Sequence, residues 1–162
     1  MIAITFCLFA GPLAGPFGGL HAEELDWKKG KLEHLAPTIG TYRIDEVLGD
    51  AAVQAALAAL LPPDAMAALT TNLGVVGPVD FIGGHLVLTG NRPHHGDADT
   101  AAVWIKIYDG TVRVILQRGG DVTLYAAAER FEYLPVQLRA ALATPSGAVP
   151  WRAPPDGVTW IR

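Results

Sequence analysis

The chain has 162 residues, of which 51% are hydrophobic and 17% charged, and a formal net charge of −4 at neutral pH. This length and apolar content support a full hydrophobic core and exclude a disordered tail. The mildly acidic balance argues against a nucleic-acid partner and gives a slight electrostatic preference for a basic protein.

Residues 1–22 carry no Lys, Arg, Asp or Glu, and run from an apolar stretch, Ile2 to Ala10, into Gly/Pro-rich sequence ending Leu20-His21-Ala22. The pattern reads as a secretory signal peptide cut before Glu23, although it lacks the basic residue that usually follows Met1. Pro12 and Pro16 interrupt the run, so no membrane-spanning anchor is expected. The only cysteine, Cys7, lies inside it. Residues 23–162 are therefore expected to form one exported domain with no disulfide, no thiolate metal site and no cysteine nucleophile.

Residues 23–46 are polar and mixed, with Trp27 and Tyr42 as expected packing anchors in an irregular lead-in. Asp50 is placed to cap a helix over Ala51–Leu60, built from strong helix formers and stopped by Pro62-Pro63. Asp64 is placed to cap a second short helix from Ala65 to about Leu69. Beyond residue 73 the period turns to alternation. Val75 to Ile82, then Gly83-Gly84, then His85 to Thr89 reads as a hairpin. Gly90 to about Thr100 is a loop rich in turn formers. Val103–Tyr108 and Thr111–Gln117 flank Asp109-Gly110, which predicts a hairpin with a type I′ turn. Gly119-Gly120 turns the chain into Val122–Tyr125. A last helix is expected over Pro135–Ala143 with Leu134, Leu138 and Leu142 on one face. Pro145, Pro150, Pro154 and Pro155 predict an irregular tail held down by Trp151 and Trp160. The fold class expected is α+β: an antiparallel sheet of about five strands flanked by helices on both faces.

Motifs for enzymatic chemistry are missing. The sequence has no G-x-S-x-G elbow, no phosphate-cradling loop, no dinucleotide glycine pattern and no H-E-x-x-H, so an enzyme is not expected. One dense polar cluster stands out: Asn91-Arg92-Pro93-His94-His95-Gly96-Asp97-Ala98-Asp99. A solvated connecting loop would use the same residue types. A zinc site would need a third and fourth ligand, and adjacent loop histidines seldom reach one ion, so no metal or other cofactor is expected.

Leu86 through Gly96, followed by Ala102-Val103-Trp104, resembles the Ivy family, inhibitors of vertebrate lysozyme. There a comparable strand leads into Cys-Lys-Pro-His-Asp-Cys and then a strand beginning Ala-Val. The likeness continues through the Asp109-Gly110 hairpin, Gly120–Tyr125 and Leu134–Arg139, covering residues 42–143 with an echo at Pro155-Asp156-Gly157. It implies a five-stranded antiparallel sheet between helices, a periplasmic location, and a loop histidine that plugs the lysozyme cleft. Carried over, the target-binding loop is Asn91, Arg92, Pro93, His94, His95 and Gly96, with His94 as the principal plug and Arg92 and His95 in support. The partner implied is a lysozyme, or a lytic transglycosylase with its related cleft; a homodimer stays open. Asn91, His95 and Gly96 stand where the family has its two cysteines and an aspartate. Without the loop disulfide, weaker inhibition of animal lysozyme or a different target is expected, with Asp97 or Asp99 as replacement ties. The alternative is an envelope interaction module that keeps the fold without inhibiting.

Overall fold

In the computed structural model, residues 30–96, 98–128, 130–142 and 152–162 are described. The expected signal peptide, Trp27, Asp97, Ala143 and Trp151 lie outside them. A 3-10 turn, Glu33–Thr38, leads into α1 (Ile44–Gly49), α2 (Ala51–Leu60) and α3 (Pro63–Asn72). Strands β1 (Val75–Val76), β2 (Asp80–Ile82), β3 (His85–Asn91), β4 (Thr100–Lys106), β5 (Val112–Arg118) and β6 (Asp121–Ala126) follow. A 3-10 turn at Phe131–Tyr133, then α4 (Val136–Ala141) and β7 (Val158–Ile161), complete the order.

The sheet runs β1-β3-β4-β5-β6-β7, with β2 also on β3. The α+β class and the helices on both faces agree with expectation; among the described residues there are seven strands, slightly more than the five or so expected. Alternation along the strands sends side chains to two cores. Leu86, Leu88, Val103, Ile105, Val114 and Leu116 face the layer of α1 to α3. Val87, Ala102, Trp104, Ile115, Val122 and Leu124 face Phe131, Leu134, Leu138 and Leu142 around α4. The Leu134, Leu138 and Leu142 stripe is buried as the spacing predicts.

Local chemistry explains the extra strands. Val75–Ile82 does not pair as one strand, because Pro78 has no amide hydrogen to give to a ladder. Registers of Val76↔Gly90 and Asp80↔Val87 leave three residues opposite two, a bulge. Val79 there exchanges hydrogen bonds with Gly40 and Thr41 instead of β3. The tail is also more regular than its prolines suggest. Val158–Ile161 pairs with Val122–Tyr125 in parallel, the one parallel pairing among the described residues. Trp160 does hold the tail, donating from Nε1 to Ala126 O at 3.3 Å and meeting Phe131 edge-on.

Three smaller expectations need correction. Asp50 caps α2 as predicted, its Oδ1 accepting from Ala52 N (2.9 Å) and Val53 N (3.1 Å), a contribution of about 1 kcal/mol. Asp64, however, sits inside the first turn of α3, which starts at Pro63, a position that suits proline's fixed φ. Tyr42 is 69% exposed and anchors nothing. The Asp109-Gly110 hairpin exists but is not type I′, which needs two residues with positive φ. Only Gly110 has one (φ 77°), and Lys106 N bonds Thr111 O across four intervening residues. Ile107 and Tyr108 are drawn out of the ladder because their carbonyls accept from Leu32 N and Lys31 N. In this wider turn, burial works against ionised Asp109. Hydrogen bonds from Thr111 and Lys106 outweigh it and hold the carboxyl at about 2. The type I′ geometry belongs to the glycine pairs: Gly83-Gly84 (φ 54° and 78°) joins Ile82↔His85, and Gly119-Gly120 (φ 58° and 93°) joins Arg118↔Asp121.

His85, on the α4 face, makes one part of the fold sensitive to acid. Its Nδ1 lies 2.7 Å from Gly83 O, and Arg113 Nη1 lies 3.4 Å from its Nε2. Burial, and then Arg113 and Lys106, depress its pKa below the ordinary 6.5. The unfolded chain therefore binds this proton more readily than the folded one. Stability from neutral His85 is complete above the unfolded value and is lost as pH falls from there toward the lower folded value. Melting temperatures at pH 7.5, 6 and 5 should show a decline that His85→Leu reduces; an identical decline in the variant would refute this assignment.

Candidate functional site

The sequence-predicted loop is the connection between β3 and β4. Asn91 and Thr100 are the last residues paired in register on either side. Gly90 lets the edge strand approach closely: a Cβ there would stand 2.8 Å from Val75 O. Beneath the loop, buried Asn72 at the end of α3 donates from Nδ2 to Thr100 O (3.0 Å) and Gln117 O (2.9 Å). The helical layer is thereby fastened to β4, at the loop's base, and to its neighbour β5.

Arg92, Pro93, His94 and His95 form a tight turn in which His95 N donates to Arg92 O at 3.0 Å. Pro93 occupies the position that its fixed φ favours. His94 follows with φ +66°, the one described non-glycine residue in the left-handed region. That combination defines a type II turn, whose third position ordinarily takes glycine or asparagine. A histidine there costs on the order of 1–2 kcal/mol of backbone strain. Arg92, Pro93, His94, His95 and Gly96 are all exposed, and Asn91 is half-buried. The six predicted residues thus lie together, the exposed turn Arg92–His95 flanked by Asn91 and Gly96, with Asn91 lying across Gly96 (2.9 Å from a Cβ there) and donating to Arg92 O at 3.1 Å.

The turn is tied down on both sides. Pro93 rests on Gly74, where a Cβ would come within 2.8 Å of the proline ring. Arg92 N bonds Asp99 O (3.0 Å), while Ala98 N (3.1 Å) and Asp99 N (2.9 Å) both donate to His95 O. The Gly119-Gly120 turn meets the returning limb: Gly120 N donates to Ala98 O at 3.1 Å, and Gly119 N to Asp99 Oδ1 at 2.8 Å. Of the two carboxylates expected to hold the loop, Asp99 does so. Sequence reasoning missed Asn72, Gly74 and the Gly119-Gly120 turn as parts of this site, because their partners lie 19 or more positions away and carry no local spacing signal. Among the described residues, no three His, Cys, Asp or Glu side chains gather as a metal-ligand set. No helix among them is long and apolar enough to cross a membrane.

The fold carries this exposed turn at the end of the β3–β4 hairpin, on a sheet packed between helices. The chain belongs to the Ivy family: the model described as "Inhibitor of vertebrate lysozyme (Ivy)" matches residues 52–160. The match reaches past residue 143 to take in β7. Ivy is a family of inhibitors, not of enzymes. No curated protein and no solved structure matches the chain.

Proposed function

We propose that this chain is a periplasmic inhibitor of lysozyme-type peptidoglycan-cleaving enzymes, a lysozyme or a lytic transglycosylase, that inserts His94 into the target's active-site cleft. The observation that carries this reading is His94 itself, exposed and held at φ +66° directly after Pro93. Family membership supplies the target class; export through residues 1–22 and a single domain over residues 23–162 belong to the same proposal.

The chemistry is direct. A retaining glycosidase keeps its two catalytic carboxyl groups ~5–5.5 Å apart, one protonated and one ionised. A neutral imidazole offers one donor and one acceptor, so it can bond both and displace the catalytic water. The fixed turn lowers the cost of association. Ordering a free loop costs ~1–2 kcal/mol per residue in backbone entropy alone, which a preformed turn has already met on folding. Lysozymes are basic, so the −4 charge of the chain favours encounter as well. Assaying the purified protein against a panel of lysozymes and lytic transglycosylases tests the reading. Inhibition of at least one muramidase is expected, and inactivity across the panel would overturn it.

A further inference from the structure

We propose that Asp99 is the positioning residue of the inhibitory loop, a non-covalent clasp that sets His94 before any target arrives. The proposal rests on the inhibitory reading of the loop. Asp99 is at the root of the returning limb, its side chain only 16% exposed, and its carboxylate reaches two separate parts of the molecule. Oδ1 accepts from Gly119 N at 2.8 Å, and Oδ2 faces Arg92 Nη1 on the outgoing limb at 3.5 Å. Its backbone completes the closure: the carbonyl accepts from Arg92 N and the amide donates to His95 O, the residue next to the plug. One residue therefore joins both limbs of the loop to the β5–β6 turn.

The two side-chain bonds are unequal. The Arg92 contact is long and its guanidinium is half-exposed, so water competes with it. The Gly119 contact is short, aims a backbone amide at a sheltered carboxylate, and is the stronger tie. Gly119-Gly120 is suited to this job because both residues take positive φ, which turns the two amides toward Ala98 and Asp99. The working feature of Asp99 is thus its oxygen acceptor more than its charge. Asparagine can keep the acceptor; alanine cannot.

The test compares wild type, Asp99→Asn and Asp99→Ala by amide hydrogen exchange and by inhibition of whichever muramidase the wild type inhibits. In Asp99→Ala, exchange at the Gly119 and His95 amides should quicken, the melting temperature should fall by no more than a few degrees, and the inhibition constant should rise about tenfold, the equivalent of one well-made hydrogen bond. Asp99→Asn should stay within about threefold of wild type in both readouts, a rescue that a general loss of stability would not give. Unchanged exchange in Asp99→Ala overturns the clasp. Quickened exchange with an unchanged inhibition constant overturns its role in positioning. If the wild type inhibits no muramidase, the functional reading fails, while the exchange comparison still decides whether Asp99 orders the loop.

Discussion

Replacing His94 by alanine should raise the inhibition constant toward the target muramidase about 30-fold or more, the cost of losing a central interface anchor worth about 2 kcal/mol. Alanine is the informative substitution because it keeps a Cβ. The backbone strain at φ +66° is then the same in both proteins, and only the imidazole is removed. His94 is exposed, so the melting temperature should stay within about a degree or two. His94→Gly gives a useful companion. It relieves the left-handed strain and should be no less stable than wild type, yet should inhibit as poorly as the alanine variant. Full inhibition by His94→Ala would remove the plug from the account and leave the rest of the loop surface to explain binding.

The largest loss of stability is expected at Leu116. This side chain is fully buried in the core between the sheet and the α1–α3 layer, on the strand that packs against both α2 and α3. Leu116→Ala removes buried methyl groups and leaves a cavity that close-packed neighbours fill only partly. The expected cost is 2–5 kcal/mol, roughly a 5–20 °C fall in melting temperature for a chain of this size. Such a loss is a large fraction of the stability of an ordinary domain, about 5–15 kcal/mol. Leu116 also pairs with Ala101 in register, one residue from the base of the loop at Thr100. Urea unfolding should therefore show a lower midpoint with an unchanged slope. A change below about 1 kcal/mol would mean that this layer is not packed as described.

Much of the fold is legible in the sequence, and the misses have physical causes. Local signals served well where the residues that decide a structure are neighbours in the chain. Asp50 caps α2, Pro62-Pro63 ends it, and the leucines at 134, 138 and 142 are buried in one cluster, although α4 itself covers only Val136–Ala141. The Asp-Gly pair misled because distant residues intervene: Lys31 and Leu32 capture the carbonyls of Tyr108 and Ile107 and widen the turn. Tyr42 looked like an anchor by residue type, but nothing in its neighbourhood of the sequence tells which side faces solvent. Strand β7 was hidden behind four prolines, although Val158-Thr159-Trp160-Ile161 after Asp156-Gly157 has the β-branched and aromatic make-up of a strand.

The candidate site divides along the same line. Its six residues are contiguous, so they could be named from the chain; five of them are exposed, in and beside the turn that follows half-buried Asn91. What holds the turn is non-local. Gly74 under Pro93, Asn72 under the loop's base and Gly119 on Asp99 are contacts made by the topology. The loop lacks a cysteine pair, and its order comes instead from these ties. Composition alone could not separate a slack solvated connection from one tied to its surroundings; the contacts of Pro93 and Asp99 are what the structure adds.

Steady-state inhibition at several concentrations of a soluble chitin oligosaccharide substrate tests the central claim most directly, using a muramidase that the wild type inhibits. A His94 plug in the catalytic cleft predicts competitive kinetics: the apparent inhibition constant rises in proportion to substrate and maximal velocity is unchanged. Inhibition that lowers maximal velocity without regard to substrate, or no inhibition at all, would contradict it.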